Sequence, residues 1–116
     1  MKIAHYTKYK TTNVTDYGSE DTTIRVFITE DEAPNFIMRR FDIHPNGRIG
    51  VHSHPAEHEI YVIKGNMLLL DANHNESSVR EGDFIFISPN EKHGYRNNSG
   101  ETCSFICTIP KPKNEK

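Results

Sequence analysis

Long apolar runs are missing from this 116-residue chain, and with them any segment expected to cross a membrane as a helix. The opening residues, Met1-Lys2-Ile3-Ala4-His5-Tyr6, carry neither an apolar stretch nor a small-residue cleavage site. No export signal is therefore expected, and the cytoplasm is the expected compartment. Charge of one sign is scarce too: 14 Lys and Arg against 16 Asp and Glu leave a net charge of −2. That excludes the basic stripe a nucleic-acid binder needs. Cysteine is nearly absent, with only Cys103 and Cys107. Four residues along an extended strand span about 13 Å, too far for the two sulfurs to bridge. Both are expected as reduced thiols lining a core or pocket. Helical periodicity is the last absence.

What remains are short runs of β-branched and aromatic residues separated by turn clusters. The runs are Ile24 to Thr29, Phe36 to Ile43, Glu59 to Ile63, Met67 to Asp71, Phe84 to Ile87 and Cys103 to Ile109. Between them lie turn-rich stretches such as Pro45-Asn46-Gly47, Lys64-Gly65-Asn66, Asp71 to Ser78 and Glu81-Gly82-Asp83. Gly and Asn supply the positive φ angles that tight turns need. Many short strands at this spacing predict one all-β domain, a sandwich or small barrel. It spans 1–116 with its core at about 24–110. Residues 1–23 read as an N-terminal extension and 111–116 as a tail.

Histidine is what the chain has in plenty, seven in all, and three crowd into VHSHPAEHEIYVIKG at residues 51–65. In a strand His52 and His54 share one face while Ser53 takes the other. The Pro55-Ala56-Glu57 segment breaks the alternation, and His58 re-enters a strand on the face of Ile60 and Val62. A fourth candidate, His93, follows the apolar run Phe84 to Ile87. Imidazoles so grouped can grip one ion among Mn, Fe, Co, Ni, Cu and Zn. The isolated His5, His44 and His74 read as solvated. Glu59 is the alternative to His58.

Two longer patterns declare a resemblance. The chain resembles the cupins, small β-barrel proteins whose first motif is written G(X)5HXH(X)3,4E(X)6G. His52-Ser53-His54, three residues, His58, six residues and Gly65 fit the shorter spacing. His58 stands where the family usually has Glu, and Gly47 lies one residue closer than the pattern prescribes. The second motif, G(X)5PXG(X)2H(X)3N, matches at Gly82, Pro89 out of place, His93 and Asn97, with Ser88 and Asn90 replacing the usual Pro and Gly. The spacing to Gly65 fits His58 better than Glu59.

The resemblance implies a single antiparallel jelly-roll barrel, a four-histidine site of His52, His54, His58 and His93, and manganese as the favoured ion, with Fe, Ni, Zn or Co also accommodated. It further implies a homodimer, with no nucleic acid or membrane as partner. Four neutral imidazoles leave the full charge of a divalent ion in place, which suits anionic oxygen donors. The expected function is an enzyme acting on a small oxygen-rich anion chelated to the metal, by decarboxylation, oxygenation or isomerisation. The alternative is a binding or sensing module without turnover. Arg39, among apolar neighbours, and Tyr95, sharing parity with His93, are the candidate catalytic residues.

Overall fold

A computed structural model describes residues 1–112. Its strands are β1 (Thr12–Asn13), β2 (Glu20–Ile28), β3 (Phe36–His52), β4 (His58–Lys64), β5 (Asn66–Leu70), β6 (Glu76–Arg80), β7 (Phe84–Ile87), β8 (His93–Arg96) and β9 (Cys103–Pro110). Two one-turn 3-10 helices, Tyr6–Lys8 and Asp16–Gly18, precede β2. Strand pairing is antiparallel throughout, in the order β6-β5-β8-β3-β9-β4-β7, with β2 on β3 and β1 on β2. The sheet curls into the small antiparallel jelly-roll expected from the sequence. The expected tail lies, from residue 113 on, outside the described residues.

Three expectations need correction. Pro45-Asn46-Gly47, read as a turn between strands, is a corner inside β3. Phe36–Ile43 pairs with β9, and Arg48–His52 pairs with β8. Asn46 takes φ 67° to make the bend. The corner is held from outside the strand: Asn46 N donates to Asn97 O at 3.0 Å, and Asn97 N donates to Gly47 O at 2.9 Å. Buried Asn97 adds Nδ2 donations to Ile43 O at 2.8 Å and Glu101 O at 2.7 Å, while its Oδ1 accepts from Ser99. A buried side-chain amide satisfied on both ends fixes the β8–β9 connection against β3.

Second, β6 and β8 went unread. β6 is an edge strand whose residues are almost all exposed, so Glu-Ser-Ser-Val-Arg has no apolar face to announce it. β8 is buried but only four residues long, and its face is built from His93 and Tyr95. Third, residues 12–23, read as part of a polar extension, form β1, a 3-10 turn and the start of β2. That segment lies against the interior site described below.

The core is the inward face of the alternating strands: Phe41, Ile43, Ile49, Ile60, Val62, Met67, Ile87, Tyr95 and Phe105, with Cys103 and Cys107 as free thiols. Phe105 stacks between Phe41 (5.2 Å, 15°) and Tyr95 (5.4 Å, 19°). Outside this layer, buried Asp42 accepts from Arg25 Nη1 at 2.9 Å, Arg40 Nε at 3.2 Å and Ser104 Oγ at 2.5 Å, so its charge is paired across β2, β3 and β9. Gly65 turns β4 into β5 at φ 79°, and a Cβ there would sit 2.6 Å from Thr102 O, so no larger residue fits.

Removing the Phe105 ring should cost about 3–5 kcal/mol, because neither stacked neighbour can close the space alone. Urea unfolding of Phe105→Ala measures this; a loss under about 1 kcal/mol would place Phe105 outside the cooperative core.

Candidate metal centre

Histidine rings from three strands and a loop meet inside the barrel. His52 ends β3, His54 follows in the β3–β4 connection, His58 opens β4 and His93 opens β8. β3 and β8 pair His52 directly opposite His93. The backbone N–H of Asn90 donates to His54 O at 2.6 Å, which ties the loop before β8 to the loop before β4. Two sequence segments forty residues apart are thereby fastened at the point where their imidazoles meet.

His52, His54 and His93 each offer a ring nitrogen within 4.8 Å of the other two. His58 stands just outside that group, its ring centroid 5.1 Å from those of His54 and His93. The Nδ1 atoms of three rings have partners at their backs. His52 Nδ1 meets Gly50 O at 2.6 Å, His93 Nδ1 meets Glu91 O at 2.8 Å, and His58 Nδ1 meets Cys107 Sγ at 3.2 Å. A carbonyl accepts, so Nδ1 of His52 and of His93 donates, which leaves Nε2 as the nitrogen free to meet an ion. The Nε2 atoms of His58 and His93 are buried and have no hydrogen-bond partner. Buried nitrogens without partners fit a metal ion, because an orphaned acceptor is costly unless something fills it.

Electrostatics agree with that fit. Burial lowers His54 to about 4 and His58 to about 3, with neighbouring histidines and Arg39 adding to the shift. Burial also lowers His93, partly opposed by its bond to the Glu91 carbonyl. His54 and His58 are therefore neutral across the physiological range, the state in which imidazole binds metal, and burial pushes His93 in the same direction.

Beside the histidines lies a cavity of about 270 Å3. Its walls are mostly apolar and aromatic, including Ile24, Phe41, Ile49, Tyr95 and Phe105. Both catalytic candidates border it. Tyr95 is buried, and desolvation pushes its phenol far up, so it keeps its proton. Arg39 donates from Nη2 to Cys107 Sγ at 3.1 Å, lies over Phe41, and leaves Nε buried without a partner. Its head is thus held at the cavity wall. Glu59 points the other way: β4 alternates buried and exposed, and Glu59 is exposed while His58 is buried. Hydrogen bonding with Glu57 raises Glu59 to about 6 on that outer face.

The remaining wall comes from a segment that sequence reasoning passed over, Asn13 to Tyr17. Asp16 supplies the one carboxylate among the described lining residues, and Tyr17 stacks on His52. Tyr17-Gly18 was the available signal, since an aromatic-glycine pair inside a polar stretch marks a fixed turn beside something it packs on.

The cupin domain family matches residues 39–109, more than half of the chain. The chain belongs to the cupin family. The polyketide cyclase RemF from Streptomyces resistomycificus superposes with a TM-score of 0.91 at 35% identity, covering 99% of this chain and 82% of that one. A predicted oxalate decarboxylase from Thermotoga maritima superposes at 0.84 with 15% identity, covering 96% of this chain and 100% of that one, a likeness of fold alone. The oxalate-binding protein of Thermotoga maritima is 26% identical over 73 residues, 63% of this chain and 60% of its own length, so this cupin matches less than two-thirds of it.

The depressed imidazoles make the metal-free protein acid-sensitive. An unfolded histidine titrates near 6.5, whereas folded His54 and His58 titrate near 4 and 3. Their contribution to stability is full above pH 6.5 and falls as pH drops through that window, because the unfolded chain takes up protons that the folded one refuses. Urea midpoints of chelator-treated protein from pH 7.5 to 4 should decline in this range, and less steeply in His54→Gln. Equal slopes in both would show that His54 is solvated.

Proposed function

We propose that this cupin holds one divalent transition ion on His52, His54, His58 and His93 and acts on a small ligand that chelates it through paired oxygens. Manganese is favoured because the resemblance to four-histidine cupins implies it, with Fe, Co, Ni and Zn as competitors, since an imidazole set does not select sharply among them. The observation that carries this is the pair of buried, unpartnered Nε2 atoms on His58 and His93, next to an apolar cavity that His52, His54 and His58 line. An ion bound there supplies a Lewis acid that polarises a chelated carbonyl and acidifies the adjacent C–H.

The cavity narrows the ligand class. Walls of Phe41, Ile49, Tyr95 and Phe105 suit a carbon skeleton, and Asp16, Arg39 and the histidines of the lining suit its polar groups. The ligand that fits is a β-dicarbonyl compound of the polyketide kind, and the reaction is an intramolecular aldol-type ring closure, as the name of the 35%-identical cyclase also suggests. The chain's own groups have places in that chemistry. Asp16 accepts the proton from the carbon between two carbonyls. That carbon attacks a further carbonyl of the same molecule, and Tyr95 Oη donates a proton to the alkoxide formed. Arg39 anchors an anionic oxygen. A second reading, binding or decarboxylation of a small dicarboxylate such as oxalate, draws on Arg39 as the cavity's cation and on the oxalate-binding relative.

Deuterium exchange separates the two. Mn-loaded protein should speed loss of the central C–H signal of 1-phenylbutane-1,3-dione in deuterated buffer and leave oxalate intact. Release of carbon dioxide from oxalate without exchange would overturn the cyclase reading. A thermal shift with either compound and no chemistry would favour a binding module.

His58→Ala should lose most of its bound metal on dialysis, whereas Glu59→Ala should keep about one ion per chain, read by elemental analysis; equal losses would remove His58 from the ligand set.

The partner proposed for the outer sheet is a second copy of the chain. β7, β4, β9 and β3 are neighbours, and their outward residues form rows: Phe86-Glu59-Thr108-Met38, then Phe84-Tyr61-Ile106-Arg40. Phe84 is 81% exposed, Phe36 59%, Phe86 55%, Tyr61 52% and Met38 37%. At about 200 Å2 for each large side chain, these five expose on the order of 550 Å2. A stable dimer buries about 800 Å2 per partner, so the face supplies most of one. Wild type should sediment as a dimer at tens of micromolar, and Phe84→Glu with Phe86→Glu as a monomer; a monomeric wild type would overturn the proposal.

A further inference from the structure

The structure assigns Tyr17 as a positioning residue for His52, with Gly50 as the latch that lets it reach. The inference rests in part on the metal reading above. Tyr17 lies face to face with the His52 ring, centroids 4.0 Å apart and planes 6° apart, and presents its edge to His54 at 5.7 Å and 74°. His52 is thus held on two sides, by Gly50 O at Nδ1 and by the phenol across its face. Half of the tyrosine remains in solvent, with 49% of the residue exposed.

The backbone is bent to make this contact. Tyr17 takes φ 58°, a conformation that bulky side chains rarely adopt, and Gly18 follows at φ 67°. The turn is anchored by the two-residue bridge of β1 to β2 and by Val14 N donating to Thr22 O at 2.9 Å. It also runs so close to β3 that a Cβ on residue 50 would collide with Tyr17 O. Residue 50 also supplies the carbonyl behind His52, so one glycine serves both contacts.

Stacking of two electron-rich rings is weak where their faces overlap without offset. It improves when one ring is electron-poor, as an imidazole becomes on binding a cation, because the phenol's π face then meets partial positive charge. The stack therefore favours the metal-loaded ring, and by linkage the metal favours the docked turn by the same factor.

The test uses the intact chain with Mn2+ or Co2+ alone. In the metal-free protein, the His52 ring protons should resonate upfield under the Tyr17 ring current and move downfield in Tyr17→Ala. Metal affinity by competition with a chelating dye should fall about tenfold or more in Tyr17→Ala. Tyr17→Phe keeps the ring and should restore both readouts. Gly50→Ala keeps the Tyr17 side chain in the sequence yet pushes its turn off β3, and should reproduce the alanine result. If Tyr17→Ala leaves the His52 signals unmoved and binds metal like wild type, the assignment is overturned. If wild type binds neither ion, the metal reading falls, while the ring-proton comparison still decides the stack.

Discussion

Burial of the imidazoles is the constraint on which the rest depends. A solvated histidine divides its time between charged and neutral forms near neutral pH, whereas a buried one pays for its proton with lost hydration. Moving His54, His58 and His93 into the barrel shifts all three toward the neutral donor form. Neutral rings must still be aimed. The backs of His52 and His93 are fixed by backbone carbonyls that belong to β3 and to the loop before β8. Aim is thus a property of the fold, and side-chain rotation alone cannot undo it.

The interior face of the site was legible because the strand period is two. Alternation put His52 and His54 together and separated His58 from Glu59, and β4 shows that separation as buried against exposed. The all-β domain followed from the spacing of runs and turns, and the jelly-roll from the resemblance of its two motifs to those of the cupins. What could not be read were elements that lack an apolar stripe. β6 is polar because it lies at an edge, and the Asn13–Tyr17 wall is largely polar because, Val14 apart, it faces a cavity and solvent. The corner in β3 misled for another reason. Pro45-Asn46-Gly47 carries turn chemistry, but hydrogen bonds from Asn97, fifty residues away, decide that the strand continues through it.

The two faces of the curled sheet divide the work. Inward positions alternate into Phe41, Ile60, Val62 and Phe105, which give stability, and end at the histidines. Outward positions on β3, β4, β7 and β9 repeat the same period with Phe, Tyr and Met, which are unusual on a solvent face. Part of the outer surface is already covered by the chain itself. Tyr6 lies against Arg25 and Arg40, and Tyr9 packs on Phe27. The N-terminal residues thus cover the β2 side of the sheet, while the β4 and β7 side stays open.

Cys107 joins the core to the site. Its sulfur receives Arg39 Nη2 at 3.1 Å and faces His58 Nδ1 at 3.2 Å, while burial holds its thiol in the protonated range. A carboxylate at that position would attract a proton onto His58 Nδ1 more strongly and would pair with Arg39 outright, withdrawing it from the cavity. Sulfur is a weak acceptor, so Arg39 is held in place without being neutralised. Its Nε remains unpartnered at the wall. The choice of a small, soft, uncharged residue on β9 therefore leaves one cation free to meet an anionic oxygen beside the histidines, and supports His58 without adding negative charge to the centre.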